Sequence, residues 1–422
     1  MIGLVDGNNF FVSCERVVDP KLNGKPVAVL SNNDGCCVSR SNEFKALGIG
    51  MGVPYYQLKD REYPKGDLFF RSSNYELYGD MSRRIIEVLR GMAADVMQYS
   101  IDEAFIRPPT PELGRLADYG GRIRSRILKW IGIPCGVGFA STKTLAKIAN
   151  HIGKKLPEGV FVMPDEADGI LAGLPAGEVW GVGRRLPAKL RAERIMTAKD
   201  LRDAPDDVLR SVGGVTLLRT ALELRGVECH EDRDYAADPD SVSCSRSFGE
   251  KVGDAATLME AIASFTAQAA VKLRRHGMLA AGCNVYAQVA TPGLFERGGD
   301  WEGSFHGCTV AFPAPTDATN VMTEAIRRSI GALFVSGAKY RKAGVVLFGL
   351  EKAGAVHQTD LFRSEQRVAS PLYRTIDAIN ARLGRGKVFS AAEGMRAPSW
   401  QMKRSKMSRR ATTNWNELIT VR

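Results

Sequence analysis

Three acidic residues interrupt segments of this sequence that otherwise have the composition of buried strands. Residues 2–5 are apolar and end in Asp6, and the apolar segment 96–106 is broken by Asp102 and Glu103. The second segment is typical of a hairpin or a paired strand in a sheet. Because burial of an unpaired charge is very costly, carboxylates in such positions need a compensating cation. The fold must therefore provide one.

Oxygen ligands from three acidic side chains suit magnesium, which keeps several waters and shares substrate phosphates as further ligands. Two such ions, close together, would activate an attacking 3′ hydroxyl and stabilise a leaving pyrophosphate. The residues alone leave an alternative equally open, in which Asp6 caps a helix and Asp102 and Glu103 lie on a solvated edge.

The charge balance favours a polyanionic partner. The chain has 422 residues, with 58 Lys and Arg against 47 Asp and Glu, and a pI near 9.3. These values favour nucleic acid over a membrane. We find no apolar run that would span a bilayer and no secretory signal, so we expect a cytoplasmic protein, nucleoid-associated when active. Eight scattered cysteines without a C-x-x-C pair make disulfides and a zinc site unexpected.

The pattern along the chain predicts an α+β protein of several domains. Strands alternate with helices through residues 1–168, and short helices around glycine turns follow to about 230. An acidic, proline-containing linker then precedes a compact α+β domain from 241 onward. The basic end of the chain either binds DNA or is simply solvated.

A series of motifs in a fixed order resembles Y-family DNA polymerases, most closely those of UmuC type. After Asp6 the motifs are NFF at 9–11, SNNDGC at 31–36, KALG at 45–48, GVP at 52–54, SNYELY at 73–78, YSIDEAF at 99–105, KTLAKIAN at 143–150, VWGVGRR at 179–185, CSRSFGE at 244–250 and WQMK at 400–403. The resemblance spans nearly the whole chain, and an ordered series is far more specific than any single motif.

The resemblance implies a right-hand polymerase fold with palm, small fingers, helix-hairpin-helix thumb and little finger. We expect palm and fingers at 1–168, with the fingers at about 20–75, and the thumb at 169–235. The little finger would occupy 240–352. A clamp-binding peptide and a UmuC-type C-terminal tail would occupy 353–422.

The same resemblance assigns roles near the carboxylates. Asp6, Asp102 and Glu103 would bind two Mg²⁺ ions, and Phe11 would be the steric gate whose ring clashes with a ribose 2′ hydroxyl. We interpret the adjacent Phe10 as a core residue. Lys45 and Lys154 would contact the triphosphate of the incoming dNTP, where a cation offsets the charge of the leaving pyrophosphate. Asn42 and Lys45 stand where a Tyr and Arg pair is common in the family, and Lys lacks the bidentate fork of Arg.

Two segments are predicted to hold primer-template DNA. Gly181 and Gly183 form a glycine turn whose backbone amides would bind a phosphate, with Arg184 and Arg185 directly after it. Ser243, Ser245, Arg246 and Ser247 lie along a predicted strand whose polar face would follow the DNA backbone. Such contacts position a duplex without reading its sequence.

Partners are also implied by the resemblance. Gln358, Leu361 and Phe362 match the peptide with which bacterial polymerases bind the sliding clamp. A processed UmuD-type dimer and a RecA filament would act with the enzyme in error-prone translesion synthesis during the SOS response. The residues do not indicate where either of these two partners binds.

Two other functions compete with this one. Another palm-type nucleotidyl enzyme, such as a nucleotide cyclase, also uses separated carboxylates on a sheet, but has no use for the thumb or the clamp peptide. A non-catalytic DNA-binding recruitment factor on a polymerase fold would keep the domains without the chemistry. Extension of a primed template separates all three.

Overall fold

The structure, a computed structural model, describes residues 1–59, 67–109, 113–230, 238–290, 305–353, 371–384, 386–394 and 398–418. It divides into two compact units, the first formed by Met1–Tyr235 with Ser405–Arg422, the second by Ala236–Arg404. The region 353–422, expected as one C-terminal segment, is therefore shared between them. Within the described ranges, no helix is long and apolar enough to cross a membrane.

The first unit contains two sheets and nine helices in its described part. Its strands are β1 (Ile2–Gly7), β2 (Val27–Leu30), β3 (Cys37–Arg40), β4 (Phe69–Ser72), β5 (Asp95–Gln98), β6 (Glu103–Arg107), β7 (Cys135–Ala140) and β8 (Val160–Val162). Its helices are α1 (Phe10–Val18), α2 (Asn42–Lys45), α3 (Tyr75–Arg90), α4 (Leu113–Ile131), α5 (Lys143–Gly153), α6 (Asp168–Ala172), α7 (Leu186–Ala192), α8 (Ala198–Asp203) and α9 (Asp206–Leu224).

The larger sheet of this unit is packed on both faces. Its strand order is β5-β6-β1-β7-β8, with the central β1 antiparallel to β6 and β7. Side chains alternate along β1, so Val5 packs with α1, α3 and α4, whereas Ile2 and Leu4 pack with α5 and the helices after it. Burial of both faces leaves the strand ends as the accessible part of the sheet.

Local signals explain the helices that flank this sheet. The side chain of Asn74 caps α3 by accepting from the amide of Leu77, and that of Thr142 caps α5 by accepting from the amide of Leu145. The buried face of α3 carries Leu77, Met81, Ile85 and Leu89, the helical spacing that the sequence predicted. These caps and apolar stripes fix where α3 and α5 begin and which faces they bury.

The smaller sheet has the order β3-β2-β4, with β2 parallel to β4 and antiparallel to β3. Its core includes Leu30, Phe44 and Leu58, all buried. Three short helices, α6 to α8, and the longer α9 follow the larger sheet in sequence and share a core with α5. Between α6 and α7, Gly181 has φ +93°, and a Cβ there would lie 2.6 Å from Thr220 Oγ1, so this turn requires glycine.

The second unit is one antiparallel sheet with helices. Its elements are β9 (Val242–Val252), β10 (Met278–Val289), β11 (Phe305–Thr316), β12 (Tyr340–Lys352), α10 (Ala255–Arg275), α11 (Thr319–Leu333) and α12 (Pro371–Leu383). The strand order is β11-β10-β12-β9. Helices α10 and α11 pack against one face through residues such as Phe265 and Val345. Side chains of the opposite face, including Asn284 and Thr309, are exposed.

All eight cysteines are free thiols. Burial raises the pKa of every one of them above its ordinary value.

Candidate active site

Two adjacent strands bring the three sequence-predicted carboxylates to one end of the larger sheet. Asp6 on β1 pairs directly with Glu103 on β6, and the amide of Gly7 donates to the carbonyl of Asp102 at 2.9 Å. Directly paired residues of antiparallel strands have Cβ atoms about 4.5–5.5 Å apart, so the Asp6 and Glu103 side chains leave the sheet together. The register of the sheet thus brings together two residues that lie nearly a hundred positions apart in sequence.

Two lysines of the α5 region neutralise these carboxylates. Lys154 Nζ lies 2.6 Å from Asp6 Oδ2, and Lys147 Nζ lies 2.7 Å from Glu103 Oε1. Burial raises the pKa of Asp6 to about 6, and the nearby charges of Glu103 and Asp102 add to this, while Lys154 opposes it. Burial thus disfavours the charged form of Asp6, and a cation such as Lys154 is needed to keep this carboxylate ionised.

Ser100 fixes the third carboxylate. Its hydroxyl donates to Asp102 Oδ1 at 2.7 Å, and it accepts from the amide of Glu103 at 3.0 Å. In the described part of the chain, no three His, Cys, Asp or Glu side chains already stand as a metal centre. The donor set itself, three carboxylates of which Asp6 and Glu103 are each about four-fifths buried, fits a hard divalent cation.

Lys147 is a functional candidate that we did not predict from the sequence. Its ammonium also lies 4.5 Å from the centre of the Tyr99 ring. Lys147 and Lys154 are seven residues apart, two helical turns, and thus share one face of the helical stretch. The spacing between Lys147 in the KTLAKIAN motif and Lys154 just after it was a signal that could have identified it.

Lys45 reaches the same region from the end of α2. Its Nζ donates to Asn9 Oδ1 at 2.6 Å, and Asn9 Nδ2 donates to Asn42 Oδ1 at 3.0 Å. Partial burial and the cations Arg40 and Lys154 lower the pKa of Lys45, whereas Asp6 raises it. The structure thus brings Lys45 and Lys154, the two predicted triphosphate ligands, within electrostatic reach of each other and of Asp6.

Phe11 lies at the start of α1, directly after the turn that follows Asp6. Its ring stacks on Tyr78 with centroids 4.5 Å apart and 14° between the planes, and it meets the edge of Tyr75 at 6.1 Å. Phe11 is half-buried, whereas Phe10 is 3% exposed and belongs to the core. One face of the Phe11 ring is thus fixed by an aromatic stack.

The predicted DNA contacts belong to two other parts of the chain, the glycine turn before α7 and strand β9. Gly183, Arg184 and Arg185 are exposed at the start of α7, and the carbonyl of Gly183 accepts from the amide of Leu186 at 3.0 Å. Our prediction that one polar face of β9 carries both Ser245 and Arg246 is wrong. Ser245 pairs with Gly344 and Arg246 with the buried Ala343, so the period of two places them on opposite faces. Gln358, Leu361 and Phe362 lie outside the described residues.

Comparisons with known proteins identify the family that this chain resembles. Residues 5–151 match the model of the impB/mucB/samB family, residues 239–361 match that family's C-terminal domain, and residues 370–421 match a domain of unknown function. Protein UmuC of Salmonella typhimurium strain LT2 is 39% identical, with 100% of both chains covered. Protein ImpB of Salmonella typhimurium is 37% identical at the same coverage.

Among solved structures, a Y-family DNA polymerase chimera of Dbh and Dpo4 superposes with a TM-score of 0.65 at 21% identity. The match covers 83% of this chain and 100% of the chimera. The expected α+β fold of right-hand polymerase type is confirmed by this likeness.

Proposed function

Because the chain belongs to the impB/mucB/samB family, which includes the UmuC-type Y-family polymerases, we propose that it performs error-prone translesion DNA synthesis. In this reaction the 3′ hydroxyl of a primer attacks the α-phosphate of a dNTP selected by the template, and pyrophosphate leaves. The observation that carries the proposal is the register of β1 and β6, which pairs Asp6 with Glu103 and places Asp102 one residue away.

Asp6, Asp102 and Glu103 would hold two Mg²⁺ ions. When bound, the ions would lower the pKa of the 3′ hydroxyl and neutralise the pyrophosphate. The chain's own further contribution at this site comes from two lysines. Lys154 and Lys147 form ion pairs with Asp6 and Glu103, and their ammonium groups would be placed to bind phosphate oxygens of the substrate.

Lys45 and Lys154 are proposed to bind the triphosphate. Both lie near Asp6, and a partly desolvated cation interacts strongly with a phosphate. Lys45 donates to Asn9, a neutral partner that a phosphate oxygen can displace. Phe11 is proposed as the steric gate, because its ring follows the carboxylate turn and rests on Tyr78.

DNA is proposed to contact the glycine turn and the open face of the second sheet. Gly181, Gly183, Arg184 and Arg185 supply exposed amides and cations beside α7. On the open face, Ser245 and the half-buried Lys342 offer backbone contacts without base recognition. We propose the palm and fingers at 1–168, the thumb at 169–235 and the little finger at 240–352 as the corresponding domains.

The remaining partners follow from the family rather than from any contact. We propose that Gln358, Leu361 and Phe362 bind the sliding clamp, and that a processed UmuD-type dimer and a RecA filament activate the enzyme. Its site of action would be the cytoplasm, at the nucleoid.

Primer extension opposite an abasic site with Mg²⁺ tests the proposal. Wild type, Asp102→Ala and the matched control Asp95→Ala are compared, since Asp95 is an exposed carboxylate at the start of β5, outside the site. Each is assayed with and without the UmuD-type dimer and an activated RecA filament. We expect extension by wild type and Asp95→Ala, with loss in Asp102→Ala while DNA binding remains.

Two outcomes would contradict it. Failure of wild type under every condition, with retained DNA binding, would favour the recruitment factor. Extension by Asp102→Ala at the wild-type rate would remove this carboxylate from the metal site.

A further inference from the structure

The C-terminal segment 405–418 packs against the small sheet of the first unit. Ser405 donates to Asp34 Oδ2 from its amide at 2.9 Å and from its hydroxyl at 2.8 Å. Lys406 donates its amide to Ser72 Oγ at 2.9 Å, and its carbonyl accepts from the amide of Ser72 at 3.1 Å. The segment therefore forms an isolated parallel bridge with the end of β4, although more than 330 residues separate the two in sequence.

Ser408 extends this packing into the interior. Its hydroxyl accepts from Asn74 Nδ2 at 2.9 Å and donates to Glu15 Oε1 at 3.1 Å. Glu15 lies on α1 and is fully buried. Burial raises the pKa of Glu15, and the hydrogen bonds from Tyr78 and Ser408 oppose this. Since Glu15 Oε2 has no hydrogen-bond partner among the described residues, the two donors at Oε1 are the compensation that this carboxyl receives there.

The same carboxyl anchors the aromatic stack beneath the gate. Tyr78 donates its hydroxyl to Glu15 Oε1 at 2.7 Å, and its ring stacks on Phe11. Phe11 and Glu15 are four residues apart on α1, so they lie on one face of that helix. Ser408, Glu15, Tyr78 and Phe11 thus form a continuous line of contacts from the C-terminal segment to the ring.

We propose that segment 405–418 is a brace for the nucleotide-sugar gate. Ser408 acts through Glu15 and Tyr78 to hold the Phe11 ring in a fixed position, and this position sets how strongly a ribose 2′ hydroxyl is rejected. Ser408 is a positioning residue that touches no substrate. The proposal rests on the proposed function and on Phe11 as the gate, and it gives a role to part of the region that matches a domain of unknown function.

The physical basis is steric. Rejection of a 2′ hydroxyl by a ring depends on the ring's inability to move away, because packed atoms lose favourable contact over shifts below 1 Å. Without Ser408, Glu15 Oε1 keeps one donor, and Tyr78 and Phe11 gain freedom to retreat. Rejection of the ribonucleotide then weakens, whereas the deoxynucleotide, which needs no such resistance, is used as before.

The test is the ratio of kcat/KM for dATP and ATP in primer extension by the full chain, with the proposed partners present. Ser408→Ala and Tyr78→Phe each remove one donor to Glu15 and keep the backbone or the aromatic stack. Ser405→Ala is the matched control, since it makes the same change on the same segment without a bond to Glu15. Phe11→Ala serves as the reference for a lost gate.

We expect discrimination to fall about two- to tenfold in Ser408→Ala and in Tyr78→Phe, the factor that one lost hydrogen bond produces. The kcat/KM for dATP should change little, and Ser405→Ala should match wild type. Phe11→Ala should lose discrimination by roughly tenfold or more.

Wild-type discrimination in both Ser408→Ala and Tyr78→Phe would overturn the brace. An equal fall for dATP and ATP would also overturn it, because it would indicate only general destabilisation, which thermal unfolding would register. Wild-type discrimination in Phe11→Ala would instead overturn the gate assignment, and a wild type without extension would overturn the proposed function. Binding of dATP and ATP to the protein–primer-template complex with Ca²⁺ measures discrimination without chemistry, so it also applies to a variant that extends slowly. Glu15→Gln serves as a comparison in this assay, because it changes the carboxyl to which Ser408 and Tyr78 donate.

Discussion

The two large sheets of this protein differ in how many faces are covered. The sheet around β1 is packed on both faces, and only its strand ends reach solvent, where Asp6 and Glu103 lie side by side. The sheet of the second unit is packed on one face by α10 and α11, and its other face is open. A sheet covered twice holds a few groups rigidly at one end, which suits chemistry. A sheet covered once offers a broad surface, which suits contacts that do not depend on sequence.

The largest expected effect is at the covered sheet's end. Glu103→Gln keeps the size of the side chain and removes the charge, so extension should fall by roughly 10²- to 10³-fold, as when a charge-stabilising group is lost from an active site. DNA affinity should stay near that of wild type, because the open sheet is untouched. Single-turnover extension and a filter-binding titration measure the two quantities. If the extension rate and the DNA affinity fell together, the two sheets would not have the separate roles described above.

Packing on both faces predicts a second contrast. A Cβ added at Gly3 on β1 would lie 2.6 Å from Phe139 Cε1 and 2.8 Å from Ile106 Cγ1. Gly3→Ala should therefore lower the free energy of unfolding by about 1–3 kcal/mol. The matched change Gly307→Ala, on the open face of β11, would place its Cβ 3.2 Å from the carbonyl oxygen of Val285 and no closer than 3.7 Å to a side chain, so it should cost less than Gly3→Ala. Urea unfolding measures both, and equal costs would contradict the difference in covering.

The ion pairs between lysines and carboxylates at the strand ends give a third prediction. Lys147→Met removes the partner of Glu103 and leaves a largely buried carboxylate, so the metal-free protein should lose about 1–3 kcal/mol of stability. Added Mg²⁺ should then raise the melting temperature more than it does in wild type, because no ammonium competes for Glu103. Thermal unfolding with EDTA and with Mg²⁺ gives this difference. If Mg²⁺ raised the melting temperature equally in both proteins, Lys147 would not compete with the metal for Glu103.

The smallest expected effect concerns the open face. Lys342 lies on that face of β12 opposite Ser247, whereas Arg246 pairs with Ala343 on the helix-covered side. Lys342→Ala should reduce the slope of log affinity against log salt by about one, the share of a single phosphate contact, and Arg246→Ala should leave it unchanged. A fluorescence-anisotropy titration at several salt concentrations measures the slopes. The opposite result would assign DNA to the other side of the sheet.

Prediction from the sequence was strongest where a signal is local or belongs to a known motif. The burial of β1, the pairing of β5 with β6 and the apolar stripe of α3 follow from composition and period. Asp6, Asp102, Glu103 and Phe11 were identified because their motifs occur in a recognisable order. The structure places the three carboxylates together, and their role as metal ligands stays a prediction.

Long-range pairings were not predictable in this way. The contact of Ser408 with Glu15 spans 393 positions, and nothing in either neighbourhood specifies it. The opposite orientation of Ser245 and Arg246 was missed because we grouped adjacent polar residues, whereas a strand separates neighbours onto two faces. Lys147 was missed although its spacing from Lys154 was visible, because only one of the two had been considered as a ligand.

The state of the cysteines has a consequence for a polymerase that acts when DNA has been damaged. Oxidants react with the thiolate form of sulfur, and a raised pKa keeps a thiol protonated near neutral pH. All eight sulfur atoms of this chain have a raised pKa. Five of them, Cys14, Cys37, Cys135, Cys244 and Cys283, are also buried. Peroxide that modifies bases in the template should therefore reach these five thiols slowly, which helps the enzyme to keep working under the stress that creates its substrate.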